Sequence, residues 1–90
     1  MKVVVAYDVS DDDARRKVAS LLADLLTRVQ YSVFEGAPPP GLLAAKLKAA
    51  LSLIDPSTDR LRVYYLCGAC AGRVDAYGAG PVEEPPVRVL

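Results

Sequence analysis

The chain has 90 residues, 52% of them hydrophobic, and its 11 basic and 11 acidic side chains give a formal net charge of zero. This composition excludes a disordered chain, and the length is that of one domain. The lack of histidine excludes His-ligated zinc and Ser/His or Cys/His nucleophilic pairs. No apolar run reaches the roughly 20 residues of a membrane span, and no signal-peptide pattern is present. We expect a soluble, cytoplasmic protein. The zero net charge does not point to nucleic acid, so any contact of that kind must come from local clusters of basic residues.

The N-terminal part of the chain predicts a strand followed by a helix. Residues 2–7 (KVVVAY) form a β-branched run that is typical of a central strand buried on both faces, and this strand ends at Asp8. Ser10 can cap the free N–H groups of a following helix, with Asp13 at the capping-box position. An apolar stripe continues this helix to about Leu26.

The middle of the chain predicts a second strand and a second helix. Residues 29–34 (VQYSVF) alternate and are rich in β-forming residues, so we expect one strand that is closed by residues 35–36. A strand kinked into two pieces is the alternative. Apolar residues at helical spacing between positions 43 and 54 predict a helix that stops at Asp55 and Pro56.

Two further strands are predicted at residues 60–67 (RLRVYYLC) and 73–77 (RVDAY). The order β-α-β-α-β-β, with one apolar stripe on each helix, predicts an α+β fold in which two helices cover one face of a four-stranded sheet. The other face of the sheet then needs a partner. The core of the domain is assigned to residues 1–78.

The last residues, 79–90, are interpreted as a linker and a short terminal strand. Residues 78–86 (GAGPVEEPP) have the composition of a linker, and residues 87–90 (VRVL) are apolar and β-like. One interpretation is a frayed terminus. The other is an edge strand that is exchanged between the two subunits of a homodimer.

Five motifs run through the chain in order: YDVSDD at 7–12, RVQYSVFEG at 28–36, LIDP at 53–56, RVYYLC at 62–67 and RVDAYG at 73–78. Together they closely resemble the small CRISPR-associated nuclease of spacer acquisition, the "Cas-two" family. The resemblance implies a ferredoxin-like sandwich and a homodimer with its sheets face to face and its final strands exchanged. One departure is that a ferredoxin-like fold has two strands between its helices, where only one is clear here.

The same resemblance implies two activities. One is metal-dependent cleavage of RNA or DNA phosphodiester bonds. The other is a structural bridge between two dimers of the "Cas-one" integrase during capture of new spacers. A non-catalytic scaffold for DNA and integrase, or a toxin-type ribonuclease of similar fold, are the alternative functions.

Asp8 matches the metal-binding aspartate of the family, so the resemblance implies that it is the catalytic residue and a ligand of Mg²⁺. Mg²⁺ accepts few protein carboxylates and several waters. Because one carboxylate per subunit is too few for a metal site, we expect two facing subunits to contribute a pair of Asp8 side chains. The alternative is that Asp8 only initiates the turn into the helix. Residues 11–13 (DDD) are interpreted as a solvated first helical turn.

Arg15, Arg16 and Lys17 form the densest basic cluster, and Arg28 precedes the second strand. By family position, Arg15, Lys17 and Arg28 match basic residues near the nucleic-acid surface, where they would neutralise phosphates. The alternative is a solvated helix face with ion pairs to the aspartates four residues before, Asp11–Arg15 and Asp12–Arg16.

Two residues of the second strand are weaker candidates for nucleic-acid binding. Strand alternation predicts that Gln30, Ser32 and Phe34 lie on one face. Phe34 matches a family aromatic residue, and we expect it either to stack on a base or to pack at the dimer interface. Ser32 is a candidate hydrogen-bond partner of a phosphate or of a metal-bound water.

The single C-x-x-C motif, Cys67 and Cys70, is interpreted as a loop with incidental thiols. A zinc site would need the pairs of two subunits to meet, since a closed site takes four ligands.

Overall fold

The structure is a computed structural model that describes residues 2–66 and 74–79. In chain order the elements are β1 (Val3–Asp8), α1 (Asp12–Ala23), β2 (Thr27–Gln30), β3 (Val33–Gly36), α2 (Pro40–Leu51), β4 (Arg60–Tyr65) and β5 (Val74–Gly78). The sheet has the order β2-β3-β1-β4-β5, and all its neighbouring strands are antiparallel. The first six elements follow the β-α-β-β-α-β order of a ferredoxin-like fold. The predicted fold class is therefore confirmed.

The predicted single strand at residues 29–34 is wrong, and the kinked alternative is right. Tyr31 and Ser32 form a turn that separates β2 from β3, so the sheet has five strands instead of four. Gln30 pairs with Val33 across this hairpin and lies on the opposite face from Phe34. Gln30, Ser32 and Phe34 therefore do not share a face, because the turn breaks the alternation.

The hydrophobic core lies between the two helices and one face of the sheet. The centre of this face is Val5, which pairs with Phe34 of β3 on one side and Val63 of β4 on the other, and all three are almost fully buried. The helices contribute the buried residues Val18, Leu22, Leu43, Leu47 and Ala50. Each fully buried aliphatic side chain of this kind stabilises the fold by about 1.5–3 kcal/mol.

Helix α1 begins one residue later than its capping-box pattern predicts. The Asp11 carboxylate accepts a hydrogen bond from the Ala14 N–H at 2.8 Å, so Asp11 is the N-cap. Ser10 instead donates to Asp59, which is far along the chain. The helix ends at Ala23, before the predicted Leu26, since β2 begins at position 27.

Asp59 connects three parts of the chain at one end of the sheet. It is only 2% exposed, and its carboxylate accepts hydrogen bonds from Ser10 N at 3.1 Å, Ser10 Oγ at 2.9 Å and Asp55 N at 2.9 Å. The hydrogen bonds from the Asp55 and Ser10 N–H groups hold its pKa below the usual range. The Asp59 carbonyl accepts from Ala79 N at 2.8 Å, just beyond β5. The loop that follows Asp8 is thereby fixed to the end of β5.

Several predictions concern residues outside those described, namely the linker at residues 80–86, the terminal strand at residues 87–90 and the pair Cys67 and Cys70. These stay predictions. Within residues 2–66 and 74–79, neither helix has the length and apolar character that crossing a membrane requires.

Candidate nucleic-acid groove at the end of β1

A groove of about 620 Å³ lies where the central strand β1 ends and α1 begins. Five of the seven residues predicted as functional line it: Asp8, Arg15, Arg16, Arg28 and Ser32. The lining also includes Tyr31, which the sequence patterns did not single out. Lys17 and Phe34, the two other predicted residues, do not line it. The fold thus brings a carboxylate and three guanidinium groups to one place.

Asp8 is the last residue of β1, and its side chain is 76% exposed. Its nearest described cation is Arg60 on β4, with Nε at 4.0 Å from Asp8 Oδ2. Asp8 also borders a second groove, of about 290 Å³, together with Ala6, Arg62 and Tyr64. These residues alternate with the core residues of their strands, so this groove lies on the sheet face opposite the helices. Asp8 is therefore open to ligands from both sides.

A Mg²⁺ ion fits this position only as a site shared with other ligands. Within residues 2–66 and 74–79, no group of three acidic, histidine or cysteine side chains comes together. Mg²⁺ binds through one or two carboxylates and otherwise keeps its waters. An exposed carboxylate at the end of a rigid strand meets that requirement for one ligand per chain.

The basic residues of α1 differ in how strongly the protein holds them. Arg15 donates from Nη1 to the Val9 carbonyl at 3.2 Å and forms an ion pair with Asp12. This ties the first turn of α1 to the loop that follows Asp8. Arg15 is therefore anchored in its own chain.

Arg16 and Lys17 both pair with Asp13, at 3.2 Å and 3.0 Å. Hydrogen bonds from Lys17, and then from Arg16, hold the pKa of Asp13 below its usual range. The predicted ion pairs Asp11–Arg15 and Asp12–Arg16 are wrong, because each arginine pairs with the aspartate one position later. Asp11 caps the helix, and the arginine pairs span three residues. Exposed pairs of this kind contribute little to stability, so a phosphate can replace the carboxylate.

Phe34 lies in the core and is 1% exposed, which is incompatible with base stacking or a place at a dimer interface in this conformation. Its ring stacks on that of Tyr7, with centroids 6.2 Å apart. The Arg28 guanidinium carbon lies 5.2 Å from the Phe34 ring centroid, within the range of a cation–π contact. The predicted role of Phe34 in base stacking is thus corrected: its buried ring contacts the Arg28 guanidinium.

The sequence patterns also missed Asp59 and the exposure of Tyr31. Asp59 follows a turn-rich stretch and carries no motif of its own, so only the fold shows that it holds Ser10. Tyr31 falls in the segment predicted as a continuous strand, which gave no reason to place its ring in solvent.

Comparison with known proteins matches this fold and sequence to one family. The family model "CRISPR associated protein Cas2" matches residues 1–74. A CRISPR-associated endoribonuclease Cas2 of Synechocystis sp. is 38% identical over 87 residues, which cover 97% of this chain and 95% of the relative. A CRISPR-associated endonuclease Cas2 of Thermus thermophilus is 42% identical over 80 residues, covering 89% of this chain and 84% of the relative.

Two solved structures share the fold. The crystal structure of Streptococcus pyogenes Cas2 has a TM-score of 0.68 and 36% identity, covering 74% of this chain and 87% of that chain. A hypothetical protein from Thermus thermophilus has a TM-score of 0.68 and 40% identity, covering 90% of this chain and 94% of that chain. With the family match extending over most of its length, the chain belongs to the Cas2 family of CRISPR-associated proteins.

Proposed function

We propose that this protein is a metal-dependent endonuclease that cleaves RNA or DNA phosphodiester bonds as a homodimer, with Asp8 as its Mg²⁺ ligand. The observation that carries the proposal is that Asp8, Arg16 and Arg28 line one groove. The names of the relatives, endoribonuclease and endonuclease, support the same chemistry. We also propose a role in spacer acquisition beside "Cas-one" integrase dimers, as the family resemblance implies.

The side chains of the groove divide into those that bind and those that hold the site. The Arg16 side chain is 75% exposed and only weakly held by Asp13, so it can exchange that carboxylate for a phosphate. Arg28 is supported by the Phe34 ring and keeps its charge at the groove. Arg15 fixes the backbone that follows Asp8 through the Val9 carbonyl. A bound Mg²⁺ would supply charge neutralisation at the phosphate and an activated water.

The reason for proposing a dimer is that Asp8 is the one carboxylate among the described residues of the groove. Asp8 lies at the border of the sheet face opposite the helices, next to Ala6 and Tyr64. A second copy that meets this face would bring a second Asp8 near the first. Two carboxylates and several waters then satisfy the coordination that Mg²⁺ requires.

The test compares Asp8→Asn with Asp24→Asn. Asp24 is an exposed carboxylate at the end of α1, paired with Lys46, and does not line the groove. Asp8→Asn should reduce Mg²⁺-stimulated cleavage of RNA and DNA oligonucleotides to the level measured in EDTA, while Asp24→Asn should cleave like the wild type. Both variants should sediment like the wild type. Undiminished cleavage by purified Asp8→Asn would refute the catalytic role.

A scaffold without catalysis is the second candidate, and one observation favours it. Among the described residues that line the groove, Asp8 is the one carboxylate, so the groove has more cations for holding a phosphate backbone than groups for acid–base work. The measurement is spacer integration with the integrase partner, using wild type and Asp8→Ala. Normal integration with lost cleavage would give the protein both roles. If the wild type supported normal integration but cleaved no substrate, the scaffold role would be the one that remains.

A further inference from the structure

Tyr31 lies at the tip of the β2–β3 hairpin, and 93% of its surface is exposed to solvent. We infer that Tyr31 is a base-stacking residue, which makes the groove beside Asp8 bind unpaired nucleotides more tightly than paired ones. This inference rests on the proposed function, because it presupposes that the groove binds nucleic acid. It goes further in naming the aromatic contact and the form of substrate that the contact selects.

The position of the ring supports this role. Tyr31 lines the same groove as Asp8 and the three arginines Arg15, Arg16 and Arg28. A groove of about 620 Å³ lies within the range of volumes of small-molecule sites, so it has room for a nucleotide. Sites for single strands combine a basic track for the phosphates with an aromatic ring for the bases. Both components are present here, at the end of the strand that carries Asp8.

The backbone that carries Tyr31 is held in place although its ring is free to contact a ligand. Tyr7 N donates to the Ser32 carbonyl at 3.1 Å, and the Tyr7 hydroxyl donates to the Tyr31 carbonyl at 3.5 Å. Tyr7 immediately precedes Asp8, so the hairpin tip and the Asp8 backbone are tied together. A platform that is fixed before binding loses less entropy when a base stacks on it.

The hairpin itself gives no reason for an aromatic residue at this position. Two-residue hairpin turns favour Gly, Asn or Asp with positive φ, but among the described residues only Gly78 has a positive φ. A ring that is 93% exposed also contributes little burial to the core. Phe34, the aromatic residue that the sequence suggested for stacking, is only 1% exposed, and its ring is covered by the Arg28 guanidinium. Of the two described aromatic residues that line the groove, Tyr7 is buried and Tyr31 is exposed.

Stacking distinguishes unpaired from paired substrates for a physical reason. Every base has a π-face, but in a duplex both faces are covered by neighbouring base pairs. An unpaired nucleotide can turn its face to Tyr31 while its phosphates meet Arg16 and Arg28. The contact is equally available to RNA and DNA, since the ring reads the base face and not the sugar.

The experiment measures the affinity of the full-length protein for fluorescein-labelled oligonucleotides of about 12 nucleotides by fluorescence anisotropy, in EDTA to prevent cleavage. The probes are oligothymidine, a strand of abasic sites with the same number of phosphates, and a blunt duplex. Tyr31→Ala should bind oligothymidine about 5- to 150-fold more weakly than wild type, as for loss of one stacked base. Tyr31→Phe should restore binding to within about twofold, because it keeps the ring.

Two controls separate stacking from charge and from general damage to the hairpin. Wild type and Tyr31→Ala should bind the abasic strand and the duplex equally, and the salt dependence should not change, because the ring carries no charge. Val29→Ala removes another exposed apolar side chain of the hairpin, 47% exposed, and should leave all affinities unchanged. Equal binding of oligothymidine by Tyr31→Ala and wild type would overturn the inference, as would an equal loss on the abasic strand. A wild type that binds none of the probes would overturn the proposed function as well.

Discussion

Gly78 ends β5 with a backbone conformation that other residues adopt only at a cost. Its φ is +89°, and a Cβ atom built on it would lie 2.0 Å from the Asp59 carbonyl oxygen. The positive φ alone costs a residue with a Cβ about 1–2 kcal/mol. Relieving the contact moves the Asp59 carbonyl away and weakens its 2.8 Å hydrogen bond from Ala79 N, which adds about 0.5–1.5 kcal/mol.

Gly78→Ala should therefore lower the free energy of unfolding by about 1.5–3.5 kcal/mol. For a domain of this size each kcal/mol lowers the melting temperature by about 4–8 °C, so the expected decrease is about 6–28 °C. Thermal and urea unfolding followed by circular dichroism measure it. The control is Gly41→Ala in α2, where nothing lies within 4 Å of the added Cβ and where alanine should stabilise the helix by up to about 1 kcal/mol. If both variants melted at the same temperature, the argument from the Gly78 backbone would be wrong.

Three further predictions concern separate parts of the molecule. Asp59→Asn should lower the free energy of unfolding at pH 7. Because the folded-state pKa of Asp59 is depressed, the difference in free energy of unfolding between wild type and variant should narrow in acid unfolding curves as the pH falls below about 4. A difference that does not change with pH would contradict this prediction. Leu22→Ala should cost about 2–5 kcal/mol in urea unfolding, whereas Leu42→Ala, at a residue 53% exposed, should cost at most about 0.5 kcal/mol. Arg16→Gln should weaken nucleic-acid binding and reduce the salt slope of log affinity by about 0.9 for a duplex, and an unchanged slope would show that Arg16 makes no phosphate contact.

Much of the fold follows from local patterns in the sequence. The β-branched run before Asp8 predicts the buried central strand, and the apolar stripes predict both helices and the face they cover. The hairpin at residues 27–36 was harder to predict, because its turn contains no Gly, Pro, Asn or Asp, Ser32 is only a weak turn former, and both flanking segments are rich in β-formers. Periodicity cannot locate a turn that the composition does not mark.

The candidate site was predictable in its residues but not in their roles. The family resemblance points to Asp8, Arg15, Lys17 and Arg28, and the basic cluster adds Arg16; the structure places all of these except Lys17 at one groove. Motifs do not reveal that Arg15 is bound to the Val9 carbonyl while Arg16 is exposed, since this depends on which direction each side chain leaves the helix. The burial of Phe34 depends on the register of β3 against β1, which the missed turn shifts.

The placement of Asp8 separates nucleic-acid binding from cleavage. The groove with Arg16 and Arg28 belongs to one chain, so a monomer already carries the arginines that we propose contact phosphates. The proposed metal site needs two Asp8 carboxylates, because the described residues of one chain bring no group of three ligands together. Dilution below the dimer dissociation constant should therefore lower the cleavage rate per chain while the affinity of each chain for an oligonucleotide stays nearly constant. The measurement pairs cleavage rates with sedimentation over the same range of concentration. A cleavage rate per chain that stayed constant after sedimentation showed monomers would mean that one Asp8 is sufficient, and the shared site would then be wrong.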